Sequence, residues 1–369
     1  MKEINIIFFY PSFERGGVTK NLINLLNYLR NYNIKVHLIS SYNLIKKLNL
    51  QNNFFYYSIN KKILSKGFSG RFGTAFKAMF VLSAVIKSLK GQKVVIHSMQ
   101  SNIAAILICL FKRKKIVIRN SEDPLYSAIY SENKFFAFIV LILKFITYNF
   151  ADKIITNSLG SKKNLEYFFF NKKKIITIYN PYLKKINKKI FKKDNIILNI
   201  GRLRKQKNQE ILIMAFNIFI KKYPDYKLII LGHGNLKKKL QDLIIKLELK
   251  NKVFLKGWIN DTTRYLKKSK IFVLSSLYEG LGNVLIDSIN FNTPCISTDC
   301  NSGPKEILLN GAGGYLVKNE SINDLAKKMI YSIQNYNLSK KKNNLAKKKI
   351  SRFFIKKNCQ IYIKTLLQY

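Results

Sequence analysis

Residues 196–215 read IILNIGRLRKQKNQEILIMA. An apolar run of strand length, 196–200, ends on Gly201, and a helical pattern follows through Ala215. Between them Arg202, Arg204, Lys205 and Lys207 crowd one short loop. A strand that passes through a tight loop into a helix is the unit of a parallel, helix-covered sheet. Cations at a helix opening suit a polyanion, because charge-assisted hydrogen bonds are about twice as strong as neutral ones. In a chain this rich in lysine, a basic loop also arises as background. The Gly201-Arg202-Leu203 opening at a strand end favours the ligand reading.

The same alternation extends in both directions. Strands are expected at 4–9, 36–39, 94–97, 115–119 and 153–156, with a helix over 18–30. A second series falls at 196–200, 227–231, 253–256, 271–274 and 294–298. The two are separated by residues 180–194, NPYLKKINKKIFKKD, which open on an Asn-Pro turn signal and are otherwise mostly polar and basic. The fold class is therefore α/β, with two Rossmann-like doubly wound domains facing a central cleft. In such sheets ligands bind beyond the carboxyl ends of the strands. No internal repeat of solenoid length is visible.

A chain of 369 residues with 47% hydrophobic composition can bury two sizeable cores. Its 66 Lys and Arg against 19 Asp and Glu give a net charge of +47, which attracts nucleic acid, acidic lipid and phosphorylated substrates alike. Lys, Asn, Ile, Phe and Tyr are abundant together, as in an AT-rich genome, so net charge alone identifies no partner. Four scattered cysteines and three histidines argue against a structural zinc site and fit free thiols in a reducing cytosol. The N-terminus does not read as a signal peptide. Residues 135–150 are strongly apolar but shorter than the ~20 residues of a bilayer span, and they contain Lys144; a buried or surface-lying helix is expected.

Two further loops carry chemistry. YPSFERGGVTK, residues 10–20, places Gly16-Gly17 before a helix, either as an ordinary tight turn or to bring backbone amides close to an anion. SSLYEGLGNVLID, residues 275–287, holds Glu279 and Asp287 with seven residues between them and with Gly280 and Gly282 in the turn. Carboxylates beside exposed amides suit a ligand bearing both hydroxyls and phosphate; the alternative is an incidental turn and an Asp on a solvated helix face.

These loops, in this order, resemble retaining glycosyltransferase family 4, which has the GT-B fold. The resemblance rests on Gly16-Gly17, on Gly201-Arg202-Leu203 with Gln206-Lys207-Asn208, on Tyr278-Glu279-Gly280 with its second acid, and on FNTPCISTDCNSGPKEIL at 291–308. It implies an acceptor-binding domain over 1–182, a nucleotide-sugar-binding domain over 183–350, and a C-terminal helix in 351–369 packing back on the first domain. Arg202 and Lys207 then bind the donor diphosphate, with Glu279 beside the donor sugar and Asp287 at the ribose. The backbone of Leu281, Gly282 and Asn283 approaches sugar and phosphate, and Gly201 belongs to the same donor-binding set. Gly16-Gly17 bind the donor from across the cleft, near the diphosphate and acceptor; Glu279, Arg202 and Lys207 are the implied catalytic residues.

Three departures stand out. Asp287 is one methylene shorter than the family's usual Glu. LGHGNL at 231–236 replaces an acid and a proline by His233 and Asn235, and His233 is read as a loop residue. RNSEDP at 119–124 has no histidine where many relatives place one, so that Arg119 and Glu122 are expected to line the cleft instead. His97 is expected to be structural.

The implied reaction moves a sugar from a nucleoside-diphosphate donor, a UDP-linked hexose or N-acetylhexosamine, to a hydroxyl of a growing lipid-linked polysaccharide such as lipopolysaccharide or capsule. Neither a cofactor nor a metal is expected. The expected location is cytoplasmic, peripheral on the inner face of the membrane. Residues 61–90 mix Lys61, Lys62, Lys66, Arg71 and Lys77 with Phe68, Phe72, Phe76 and Phe80, a pattern fitting either contact with an anionic membrane or core phenylalanines beneath solvated lysines. Two rival functions are another GT-B enzyme, such as a nucleotide-sugar epimerase, and a basic nucleic-acid-binding protein. No nucleic-acid-binding module is found, so nucleic acid is not an expected partner.

Overall fold

Residues 4–11, 16–50, 53–59, 71–300 and 302–369 are described by the computed structural model of the chain, without the side chains of Arg71 and Phe72. The first sheet holds β1 (Ile4–Tyr10), β2 (Ile34–Ser40), β3 (Phe54–Ser58), β4 (Lys93–Ser98), β5 (Lys115–Asn120), β6 (Lys153–Thr156) and β7 (Ile175–Thr177) in the order β3-β2-β1-β4-β5-β6-β7. The second holds β8 (Asp194–Ile200), β9 (Lys227–Leu231), β10 (Val253–Leu255), β11 (Ser269–Leu274), β12 (Cys295–Thr298) and β13 (Tyr315–Val317) in the order β10-β9-β8-β11-β12-β13. Neighbouring strands pair in parallel in both sheets.

The strands are apolar almost throughout because both sheet faces are covered. In β1, Ile6, Phe8 and Tyr10 enter one core cluster, while Ile7 and Phe9 enter the cluster on the opposite face. The second sheet divides in the same way, with Ile197 and Val273 on one side and Leu198 and Phe272 on the other. The strand order turns at β1/β4 and at β8/β11. At these switch points successive connections leave on opposite sides and open a crevice. The loops of interest follow β1, β8 and β11.

The chain crosses between the domains twice. Tyr182 and Leu183 donate backbone hydrogen bonds to the Phe353 carbonyl at 3.2 and 3.0 Å, and Ile355 donates to the Leu183 carbonyl at 3.0 Å. Beyond this paired crossing, helix Ile355–Leu367 buries Cys359, Tyr362, Ile363 and Leu366 among Leu22, Leu25 and Leu26 of helix Gly17–Leu29. All four cysteines are buried free thiols.

His97 is fully buried, packs T-shaped against the Phe8 and Tyr362 rings with centroids 5.5 and 5.7 Å away, and bonds the Val117 carbonyl through Nδ1 at 3.1 Å. It supports the sheet and not the cleft. Burial lowers its pKa to about 3, and burial lowers that of His37 to about 4. Both are therefore neutral in the folded protein, whereas the unfolded chain protonates them near pH 6.5. Below that point the unfolded state binds more protons, so stability is full above ~6.5 and declines as pH falls towards 4. Each histidine contributes a slope of at most ~1.4 kcal/mol per pH unit. Urea midpoints measured from neutral to acid pH should fall accordingly, and His97→Gln should flatten the curve.

Candidate active site

The basic loop and the acidic loop are stapled together, since they leave adjacent strands at the switch point of the second sheet. Leu277 donates its backbone N–H to the Gln206 carbonyl at 2.8 Å, the Gln206 side chain donates to the Tyr278 carbonyl at 3.0 Å, and the Ser275 hydroxyl donates to the Lys207 carbonyl at 2.8 Å. This places the Lys207 ammonium against Glu279 Oε1, in an ion pair whose side chains are 16% and 8% exposed. The Ser276 hydroxyl donates to the same oxygen at 2.7 Å. Ser302, from the segment that follows β12, donates to the Glu279 carbonyl. The Arg202 carbonyl accepts from Gln209 at 3.1 Å, and Gly201 closes β8 by donating to Leu231 at 2.9 Å.

Gly282 has φ +84°, a conformation costly for any residue with a Cβ, and stands at the N-cap of helix Asn283–Asn290. No side chain caps this helix. The same holds across the cleft, where Gly16 precedes helix Gly17–Leu29 and no side chain caps it. The two helix ends meet: a Cβ at Gly17 would lie 3.2 Å from Asn283 Nδ2. Each uncapped end carries a partial positive charge and favours an anion by ~0.3–1 kcal/mol, up to ~2 in buried geometry. Lys207 is paired with Glu279, which stands in the loop that leads into helix Asn283–Asn290. Leu281 turns its side chain inwards, 2% exposed, into the second domain's core.

Asp287 lies one turn into the helix and accepts the Tyr182 hydroxyl through Oδ2. Lys20, from the opposite domain, sits 3.8 Å above the Tyr182 ring. Burial raises the Asp287 pKa, while the Lys20 charge and the Tyr182 hydrogen bond oppose the shift. Lys20, Tyr182 and Asp287 thus link helix Gly17–Leu29, the interdomain crossing and helix Asn283–Asn290. Neither Lys20 nor Tyr182 has a distinguishing sequence pattern; only the Asn180-Pro181 turn beside Tyr182 marks the place.

Arg119 is 2% exposed, so it lies behind the cleft wall and not on it as expected. It donates through Nη2 to Asn180 Oδ1 and through Nε to the Ser121 hydroxyl at 3.1 Å, and burial lowers its pKa to about 9. Asn180 in turn donates to Asn283 Oδ1 at 2.7 Å, so a buried cation in the first domain is tied to the first residue of the helix that opens on the cleft. Glu122 is exposed, with the Ser127 hydroxyl 3.4 Å from its Oε2. Its charge acts on the Tyr278 hydroxyl, which places it at the rim beside the Glu279 loop. His233 is exposed in its loop.

The domains touch at Gly280, where a Cβ would overlap the Ser121 carbonyl oxygen and lie 2.6 Å from Asn157 Nδ2. Tyr130 and Tyr278 stack across the rim with centroids 6.1 Å apart, and the Tyr130 hydroxyl donates to Glu320 at 3.2 Å. The Leu159 amide donates to Glu306 Oε2 at 2.9 Å. The interdomain contact thus brings together two uncapped helix ends, the Lys207–Glu279 pair and a second carboxylate, Asp287.

Residues 15–182 match the family described as Glycosyltransferase Family 4, and residues 183–351 match Glycosyl transferases group 1. An uncharacterized glycosyltransferase of Methanocaldococcus jannaschii is 38% identical over 252 residues, 63% of this chain and 61% of that protein. The N-acetylgalactosamine-N,N'-diacetylbacillosaminyl-diphospho-undecaprenol 4-alpha-N-acetylgalactosaminyltransferase of Campylobacter jejuni is 33% identical over 259 residues, 68% of this chain and 70% of that one. HepE of Anabaena, solved in complex with UDP and glucose, shares the fold at TM-score 0.78 and 18% identity, over 99% of this chain and 100% of that chain. The chain belongs to glycosyltransferase family 4, and its two facing parallel-sheet domains are the GT-B fold. The match spans less than two thirds of the archaeal relative's own length.

Proposed function

We propose that the protein transfers a sugar, with retention of anomeric configuration, from a nucleoside-diphosphate donor to a hydroxyl of a lipid-linked glycan. The observation that carries this reading is the convergence of Lys207, Glu279 and two uncapped helix ends on one cleft. The Campylobacter relative, which acts on a diphospho-undecaprenol-linked sugar, supports the acceptor class. A UDP-linked hexose or N-acetylhexosamine is the proposed donor.

In the proposed step the bond from the anomeric carbon to the diphosphate oxygen breaks as the acceptor oxygen bonds on the same face. The acceptor's proton passes to the departing phosphate. Lys207, Arg202 and the helix amides offset the charge that develops on the diphosphate, a preorganised electrostatic effect. Glu279 Oε1 accepts from both Lys207 and Ser276, and this fits a carboxylate that orients and stabilises better than one that attacks. Retaining glycosidases place two carboxyl groups ~5 Å apart with one as nucleophile. Here the second acid, Asp287, is engaged by Tyr182, and we assign it to the donor ribose through its remaining acceptor sites.

The test presents UDP-, GDP- and ADP-sugars with a polyprenyl-diphosphate-linked glycan and reads product linkage by NMR. The expected result is an α-linked product from one UDP-sugar and no transfer from the others. Donor converted to its epimer without any acceptor would overturn the transferase reading.

A further inference from the structure

The cleft accounts for the polar loops but not for the apolar surface of the first domain. Helix Lys134–Tyr148 buries Leu141 and Tyr148 against the core and turns the opposite face outwards. On that face Phe135, Ile142 and Ile146 follow helical spacing and are 80%, 54% and 56% exposed. Helix Asn102–Phe111 packs against it and adds Leu110 and Phe111, 45% and 80% exposed. Helix Arg71–Ser88 packs on that helix in turn and adds Phe80, 65% exposed, with Phe76 edge-on at 5.2 Å. Phe76 and Phe80 are therefore surface residues, not core. Lys61, Lys62, Lys66 and Phe68 lie outside the described residues.

Large apolar side chains exposed on three helices packed one on the next exceed scattered surface hydrophobics. The charges beside them are mostly basic, with Glu132 the acid that precedes the long helix. Lys112 stands 5.3 Å over the Phe111 ring, with Arg113 exposed beside it and Lys134 at the start of the long helix. Residues 15–121 contain 19 Lys and Arg and no Asp or Glu. A second copy of this chain would set like charge against like, while an anionic lipid surface complements both the rim and the face. Helix Lys134–Tyr148 has 15 residues, about 22 Å at ~1.5 Å each, against a hydrocarbon core of ~30 Å. No helix among the described residues is long and apolar enough to cross a membrane.

We propose that this three-helix face docks on an anionic bilayer, with helix Lys134–Tyr148 lying in the plane of the interface. Its phenylalanines and isoleucines enter the acyl boundary while lysine and arginine reach back to the headgroups. The helix starts four residues after Tyr130, whose ring stacks on Tyr278 at the cleft rim, and it packs against helix Pro124–Ile129. Docking there brings the cleft rim to headgroup level. The use of that position to reach a lipid-borne acceptor rests on the transferase reading; the docking itself does not.

The test is flotation of the full chain with vesicles of phosphatidylglycerol in phosphatidylcholine, against phosphatidylcholine alone, at low and moderate salt. The unsubstituted protein should float with the anionic vesicles and be released as salt rises. Ile142→Asn with Ile146→Asn, both at exposed positions, should lower the bound fraction by roughly tenfold, since interfacial binding scales with buried apolar area. Donor hydrolysis without acceptor should be unchanged in the same variant, and this confirms its folding. The proposal is overturned if the double variant floats like the parent, or if the parent fails to float at low salt. It is also overturned if light scattering shows a dimer that the double variant dissolves, for then a second copy covers the face. Flotation without any sugar transfer would leave the docking face standing and remove the transferase reading alone.

Discussion

Lys207→Ala should lower kcat for sugar transfer by about 10²–10³, with a much smaller change in donor KM, because in the proposed step its charge counts most as the diphosphate departs. Arg202→Ala should fall in the same range. Lys207→Ala should in addition destabilise the second domain. Its partner Glu279 is 8% exposed in the side chain, and removing one member of a buried ion pair costs about 3–5 kcal/mol where burial is complete. Here Ser276 still donates to Glu279 and the pair keeps some solvent, so the lower end of that range is expected. Steady-state kinetics with one donor and thermal unfolding of the two variants separate the effects. Turnover at the parental rate by both variants would remove Arg202 and Lys207 from the reaction.

Gly280→Ala should be nearly as damaging to activity and mild for stability. The added Cβ would overlap the Ser121 carbonyl and approach Asn157, both in the opposite domain. The domains can relieve the overlap by parting, since each keeps its own core clusters. Parting by about 1 Å separates groups that must act together, and such misplacement costs about 10²-fold in rate. The unfolding midpoint should move by only about 2–4 °C, the change that ~1 kcal/mol produces in a domain of about 150–250 residues, the size of each half of this chain. Parental kcat in Gly280→Ala would show that the domain contact at this glycine plays no part in turnover.

Much of the architecture is legible in the sequence because parallel strands buried on both faces read as unbroken apolar runs. The runs at 196–200, 227–231 and 271–274 correspond to β8, β9 and β11, whose ends position the charged loops. The strands not anticipated are β3, β7 and β13. β7 and β13 have three residues each, too few for a period, and β3 is half exposed at a sheet edge. For 135–150, the sequence left a buried and a surface-lying helix open. Apolarity does not say which face of a helix finds a partner, and here neighbouring helices cover only one.

The sequence by itself determined the parallel α/β class, the break between two strand series over 180–194, and the presence of charged loops around Arg202, Lys207 and Glu279 at the ends of two strands. These are local properties: hydrophobic periodicity, turn residues, and which charged groups a strand end can carry. Only the tertiary structure decided that Lys207 pairs with Glu279, that Tyr182 and Lys20 engage Asp287, and that Arg119 withdraws behind Asn180. Each of these depends on which strands become neighbours and on how closely two domains approach. Residues separated by 72 positions in one contact and 105 in another meet because a doubly wound sheet gathers its strand ends at one edge.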